Sequence, residues 1–150
     1  IAEGMLSLDV LPDATARRRR VSELLARVRL PAGFAGRYPH ELSGGQLQRI
    51  ALARALAVAP ALIICDEPTS ALDVSIRADI LRLLASIQED DGVALLFITH
   101  DLSIVPGLAH RVAVMRDGRL VESGATEAVL TAPTHPYTRE LLAAVPRLSR

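Results

Sequence analysis

Ala61-Leu62-Ile63-Ile64-Cys65-Asp66-Glu67 is the stretch on which the fold turns: an unbroken apolar run that ends in two acids. A strand with one wet face alternates apolar and polar residues, whereas a strand buried on both faces reads as a continuous apolar run. Such strands belong to parallel sheets. Downstream, Val93-Ala94-Leu95-Leu96-Phe97-Ile98 has the same character and runs into Thr99-His100. Between them Ile76, Ile80, Leu83, Leu84 and Ile87 recur at helical spacing, and Asp90-Asp91-Gly92 closes that helix. Strand, helix and strand of this kind form a βαβ unit, so the class is α/β with a parallel sheet.

In open parallel sheets, ligands meet the carboxyl ends of the strands. The pattern therefore aims Asp66, Glu67 and His100 at one crevice. Adjacent carboxylates suit nucleotide hydrolysis: one can hold a Mg²⁺ that keeps several of its waters, and the other can orient or deprotonate an attacking water. Strand-Asp-Glu by itself is a weak signal, because acids often begin the loop after a strand.

Working upstream, residues 45–58 read as a helix stopped by Pro60, entered through Leu42-Ser43-Gly44-Gly45-Gln46. Ser43 is a good N-cap, and paired glycines let a ligand approach bare N–H groups at the positive end of the helix. That is the make-up of a phosphate site, although Ser-Gly-Gly alone is more often an ordinary capped helix. An earlier amphipathic helix spans 14–30, with Val21, Leu24, Leu25 and Val28 on one stripe, and Pro31, Gly33 and Gly36 end it. Beyond the βαβ unit, Asp117-Gly118 between 111–115 and 119–122 is a hairpin signal. Two short helices finish the chain, one after Thr126 and one over 137–144. No internal repeat or low-complexity linker is present.

Composition removes several function classes. The 150 residues are half apolar with only 3% aromatics, so the core is built of Leu, Ile, Val and Ala. The 17 basic and 17 acidic residues cancel, which gives no field directed at nucleic acid or an anionic membrane. The run Arg17-Arg18-Arg19-Arg20 reads as the solvated face of a helix. Cys65 is the single cysteine, so no disulfide framework, Cys-ligated zinc or iron–sulfur site exists, and it reads as a small buried residue. No run approaches the ~20 apolar residues of a membrane helix, and no signal peptide opens the chain. His40, His110 and His135 read as surface or structural residues. A start at Ile1 rather than Met suggests a partial gene product.

LSGGQLQRIALARAL, LIICDEPTSALD and LLFITHDL occur in this order, each where its chemistry needs it. Together they make the chain resemble the ATP-binding subunits of ABC transporters over essentially its whole length. The resemblance implies a partial P-loop-NTPase-like parallel sheet with a helical signature subdomain. It divides the chain into a helical and signature part (1–58), an ATPase core part (59–125) and a C-terminal helical extension (126–150). It also implies ATP and Mg²⁺ as ligands. Ser43, Gly44, Gly45 and Gln46 match the signature loop, which binds the γ-phosphate of ATP held on the opposite subunit. Asp66 matches the Walker B acid that supports Mg²⁺, Glu67 the general base, and His100 the switch histidine. Ser70-Ala71-Leu72-Asp73 matches the loop that crosses the dimer interface. Gln48 and Arg49 continue the signature helix as supports.

The resemblance has one gap. Phosphate loops of this class read G-x-x-x-x-G-K-[ST], and all 17 basic residues here are Arg, so no such loop is present. No match to the family's Gln-containing loop lies within 1–41 either. The expectation is that these residues alone do not hydrolyse ATP, and that their sheet exposes an unpaired edge.

Arg37-Tyr38-Pro39-His40-Glu41, the run from His135 through Pro146, and VAVMRDGRLVESG look like the ATP-binding subunits of bacterial oligopeptide and dipeptide importers, a group that includes nickel importers. The implied partners are a second ATP-binding subunit, transmembrane permease subunits and, indirectly, an extracytoplasmic binding protein, at the cytoplasmic face of the membrane. The helix over 14–30 matches the subdomain that faces the permease. Two other readings stand beside this one. A DNA-repair or chromosome-maintenance ATPase would carry coiled-coil heptads or zinc-binding cysteines before the signature, and neither is present here. A non-catalytic nucleotide-sensing or dimerisation piece would fit the absence of half of each ATP site, and a partner with an intact phosphate loop would separate it from a truncated enzyme.

Overall fold

The computed structural model describes residues 1–70 and 72–144. Ala71 of the 70–73 segment, and Val145 and Pro146 of the C-terminal stretch, lie outside the described residues. The chain divides into two compact units, Ile1–Ile98 and Thr99–Arg150.

The first unit holds helices α1 (Ala2–Ser7), α2 (Ala14–Arg27), α3 (Gly44–Leu56) and α4 (Val74–Asp91) with strands β1 (Leu62–Asp66) and β2 (Ala94–Ile98). Asp13 starts α2, its carboxylate accepting the Ala16 N–H at 2.6 Å. The helix ends three residues before the expected Leu30, because Arg29 turns left-handed (φ 60°) and the Leu30 N–H returns to the Leu25 carbonyl at 2.8 Å. Ala59 (φ 48°) also turns left-handed after α3, its N–H donating to the Leu56 carbonyl at 3.1 Å, and Pro60 has no N–H to continue the helix. Gly92 (φ 64°) caps α4, as its place after the acid pair predicts.

The expected apolar stripes are the core: Leu24, Leu25 and Val28 from α2, and Ile80, Leu83, Leu84 and Ile87 from α4, are each at most 2% exposed. Met5 of α1, a helix that periodicity did not reveal, is also fully buried. Asp90 and Asp91 sit in the last turn of α4 and pair with Arg27 at 3.1 Å each, tying the end of α2 to the end of α4. Of the four arginines, Arg18 and Arg19 are exposed as expected and Arg17 and Arg20 half-buried: Arg19 and Arg20 pair with Glu23, and Arg17 donates back to the Leu11 carbonyl.

β1 and β2 run parallel in the register Leu62↔Ala94 through Asp66↔Ile98, the βαβ unit of the sequence. One expectation fails. Ile63 and Cys65 are buried, but Leu62, Ile64, Leu96 and Ile98 on the opposite face are 46–62% exposed. Apolar runs of this kind imply cover on both faces, and the described residues provide it on one. Each strand also has a single partner among the described residues, so the sheet has two open edges.

The second unit contains the antiparallel hairpin β3 (Arg111–Arg116) and β4 (Arg119–Ala125), then α5 (Thr126–Thr131) and α6 (Pro136–Ala144). Asp117 (φ 51°) and Gly118 (φ 73°) make the tight turn that the dipeptide predicts. Val114 and Val129 are buried, and the buried Thr126 hydroxyl donates to the Ala109 carbonyl at 2.6 Å. Among the described residues no helix is long and apolar enough to cross a membrane.

Candidate functional site

The site begins where β1 stops. Asp66 is the last strand residue and is exposed. Glu67 follows in the left-handed region (φ 47°), a conformation that costs a non-glycine residue about 1 kcal/mol or more and persists only when neighbours enforce it. They do. The Glu67 N–H donates to the Ile98 carbonyl at 3.0 Å, and its carbonyl accepts the Ser70 N–H at 3.3 Å and hydroxyl at 3.0 Å. The backbone of Glu67 thus bridges the carboxyl ends of both parallel strands. Its left-handed turn had no sequence signal, because Glu, unlike Asp or Asn, has no marked local preference for that region. Cys65, one residue before the acids, is 7% exposed, and burial pushes its thiol pKa up, as befits a packing residue.

Ser43 N-caps α3 in a reciprocal box: its hydroxyl accepts the Gln46 N–H at 3.4 Å, and the Gln46 side-chain oxygen accepts the Ser43 N–H at 3.0 Å. Gln46 is thereby committed to the cap. The two glycines differ. Gly44 is exposed, and a Cβ on it would meet only Leu72 at an ordinary 3.6 Å. Gly45 is buried, and a Cβ there would stand 2.6 Å from Ile76 Cγ2. Gly44 is the open backbone, and Gly45 is a packing glycine that lets α3 approach α4. Ile76 lay outside the sequence-derived site; its place on the helical stripe of α4 marked it only as core.

Asp73 is the N-cap residue of α4, its carbonyl accepting the Arg77 N–H at 2.8 Å. Leu72 stands beside Gly44 and Ile76 of α4 beside Gly45, so the start of α4 packs against the Gly44-Gly45 turn. Arg49 supports this junction: it donates to the Val28 carbonyl at 3.0 Å and lies 3.9 Å from Asp79 of α4. His100 belongs to the second unit, in an exposed turn. There Thr99 Oγ1 accepts the Asp101 N–H, and Asp101 accepts the Ser103 N–H, both at 3.0 Å.

The donor set suits Mg²⁺. Hard carboxylate oxygens are present at Asp66 and Glu67. A Mg²⁺ bound by one or two carboxylates, its own waters and substrate phosphate is the ion such a donor set fits.

Comparison with known proteins follows this geometry. Residues 3–70 match the model of the ABC transporter family, and residues 121–150 match that of the oligopeptide/dipeptide transporter, C-terminal region. The chain is 48% identical over 149 residues to the dipeptide transport ATP-binding protein DppF of Haemophilus influenzae, spanning 99% of this chain and 46% of that protein. It is 55% identical over 146 residues to the glutathione import ATP-binding protein GsiA of Shigella boydii, covering 97% of this chain and 23% of that one. The chain therefore spans less than half the length of these relatives. Among solved structures, an ATP-binding cassette dimer in a post-hydrolysis state with ADP and Pi superposes at a TM-score of 0.66 with 36% identity. It covers 77% of this chain and 50% of that chain.

By sequence and by fold the chain is similar to the ATP-binding proteins of ABC transporters, and residues 3–70 carry that family's pattern. Its C-terminal segment is that of the oligopeptide and dipeptide transporters.

Proposed function

We propose that this chain supplies the hydrolytic and signature elements of an ATPase subunit that powers import of peptides across the cytoplasmic membrane. The observation that carries the reading is Glu67, held left-handed across the carboxyl ends of two parallel strands and directly after Asp66. A carboxylate whose backbone is pinned there is preorganised to orient or deprotonate water. Mg²⁺, when bound, supplies charge neutralisation of the phosphates. Asp66 would support that ion, and Ser43, Gly44, Gly45 and Gln46 would meet a phosphate held by a second subunit. Asp73 would stand at that same subunit interface, and His100 would contact the terminal phosphate.

In this reading residues 1–58 form the signature part, 59–125 the core part and 126–150 the importer-type extension. The partners are a second ATP-binding subunit and permease subunits at the cytoplasmic face of the membrane, with an extracytoplasmic binding protein acting indirectly. Peptide cargo is supported by the likeness to the dipeptide transport and glutathione import relatives.

With no Lys in the sequence, the cradle for the α- and β-phosphates must come from elsewhere. The expected result is no ATP turnover by the purified chain alone. Turnover should appear when it is mixed with a subunit bearing an intact Gly-Lys-Ser or Gly-Lys-Thr loop. Ser43→Arg should cut that turnover by on the order of a hundredfold or more, because the phosphate held on the partner's loop meets Ser43, whereas Glu67→Gln should leave it nearly unchanged, because Glu67 serves the site whose cradle these residues lack. Failure of ATP to close such a pair around Ser43 would overturn the reading. Turnover by the chain alone, abolished by Glu67→Gln, would refute the dependence on a partner.

A further inference from the structure

Glu122 lies on β4 opposite Val114 of β3 and takes no part in the nucleotide machinery. One of its carboxylate oxygens accepts the Thr134 N–H at 2.7 Å and the Thr134 hydroxyl at 2.8 Å; the other accepts the His135 N–H at 3.1 Å. These donors stand immediately before α6. That helix is nine residues long, too short to be stable by itself. Its one fully buried residue among those described is Thr138, and its apolar side chains Tyr137, Leu141 and Leu142 are only partly buried.

Polar contacts converge on its first turn. His135 Nδ1 accepts the Tyr137 N–H at 3.2 Å, and the Arg116 guanidinium of β3 lies 4.7 Å from the centre of the Tyr137 ring. Arg139 returns to the Pro133 and Thr134 carbonyls at 3.0 and 3.1 Å. The Thr138 hydroxyl, 2% exposed, approaches the same carboxylate without reaching good hydrogen-bond geometry. A negative charge here also faces the positive end of the helix.

We propose that the Glu122 carboxylate is a clasp that seats α6 on the β3–β4 hairpin and fixes the start of that helix. The extension is then a rigid continuation of the hairpin, and a single side chain decides whether it is. The proposal concerns the hairpin and its arm alone and does not depend on the nucleotide reading.

Amide hydrogen exchange of the full chain, resolved by peptide, tests it. Glu122→Gln keeps the shape but turns an NH₂ donor toward a donor. Exchange over 136–144 should accelerate on the order of ten- to a hundredfold, the scale of lost charge-assisted hydrogen bonds, while 111–121 stays protected. Thr134→Val leaves β4 untouched and should give a smaller acceleration of the same segment. Thr134→Ser, which keeps both donors, should match the unmodified chain. Unchanged exchange over 136–144 in Glu122→Gln would overturn the clasp. So would loss of hairpin protection in Glu122→Gln together with no effect of Thr134→Val, which would make Glu122 a strand residue only.

Discussion

The Gly44–Gly45 pair shows how two identical neighbours acquire different duties. Bare backbone is useful to a ligand only where it is open, and Gly44 is open. Gly45 is filled from the other side by Ile76, with 2.6 Å between its would-be Cβ and Ile76 Cγ2. Gly45→Ala should therefore destabilise the chain by about 1–3 kcal/mol, the usual scale of overpacking, whereas Gly44→Ala should change stability by less than ~1 kcal/mol. Adding Ile76→Ala to Gly45→Ala should recover part of the loss, and denaturant unfolding of the four variants as a double-mutant cycle measures it. Equal effects at the two glycines would remove the distinction. From the sequence, both read as ligand-facing; only the packing of α3 on α4 separates them.

Among the elements, the C-terminal arm has a pH dependence of determinable sign. The Thr138 hydroxyl close by, and then the hydrogen bond from the Thr134 backbone, hold the Glu122 carboxyl at about 2, below its ordinary 4.5. A group depressed on folding contributes its full stabilisation above the unfolded value and loses it as pH falls through that value toward the folded one. Protection of 136–144, corrected for intrinsic exchange, should be flat from neutral pH down to about 5 and fall away between about 4 and 2. Loss of protection between pH 7 and 5 would contradict a carboxylate held this low. The elements themselves were largely legible: both strands, the helix between them, the Asp-Gly hairpin and the two final helices all appear where periodicity and turn residues put them. Helix ends and α1 were not. Arg29 and Ala59 turn left-handed without being glycine, and α1 exists because Met5 has a core to enter.

At the scale of the molecule, the β1–β2 pair presents Leu62, Ile64, Leu96 and Ile98 on one face and, among the described residues, open hydrogen-bonding edges on both sides. Each such side chain gains about 1.5–3 kcal/mol on full burial, and a net charge of zero offers no mutual repulsion. The chain should therefore associate as its concentration rises, and Ile64→Lys combined with Leu96→Glu should weaken that association, as sedimentation or light scattering would read. A monodisperse monomer that unfolds cooperatively at all concentrations would argue against it.

The division between sequence and tertiary structure follows from the range of the forces involved. Periodicity, caps and turn chemistry are local, so the sequence alone determined the α/β class, the order of elements and the acids at the end of β1. The absence of any lysine excluded a phosphate loop of the Gly-Lys type without reference to coordinates. Tertiary structure decided what depends on residues far apart in the chain. It set the left-handed bridge of Glu67 to Ile98, the Ile76 contact that closes Gly45, the one-sided cover of the sheet, and the reach of Glu122 to Thr134. Each of these is a contact whose partner lies well over ten residues away or across an element. No local pattern encodes such a pairing, because it is chosen by which surfaces pack.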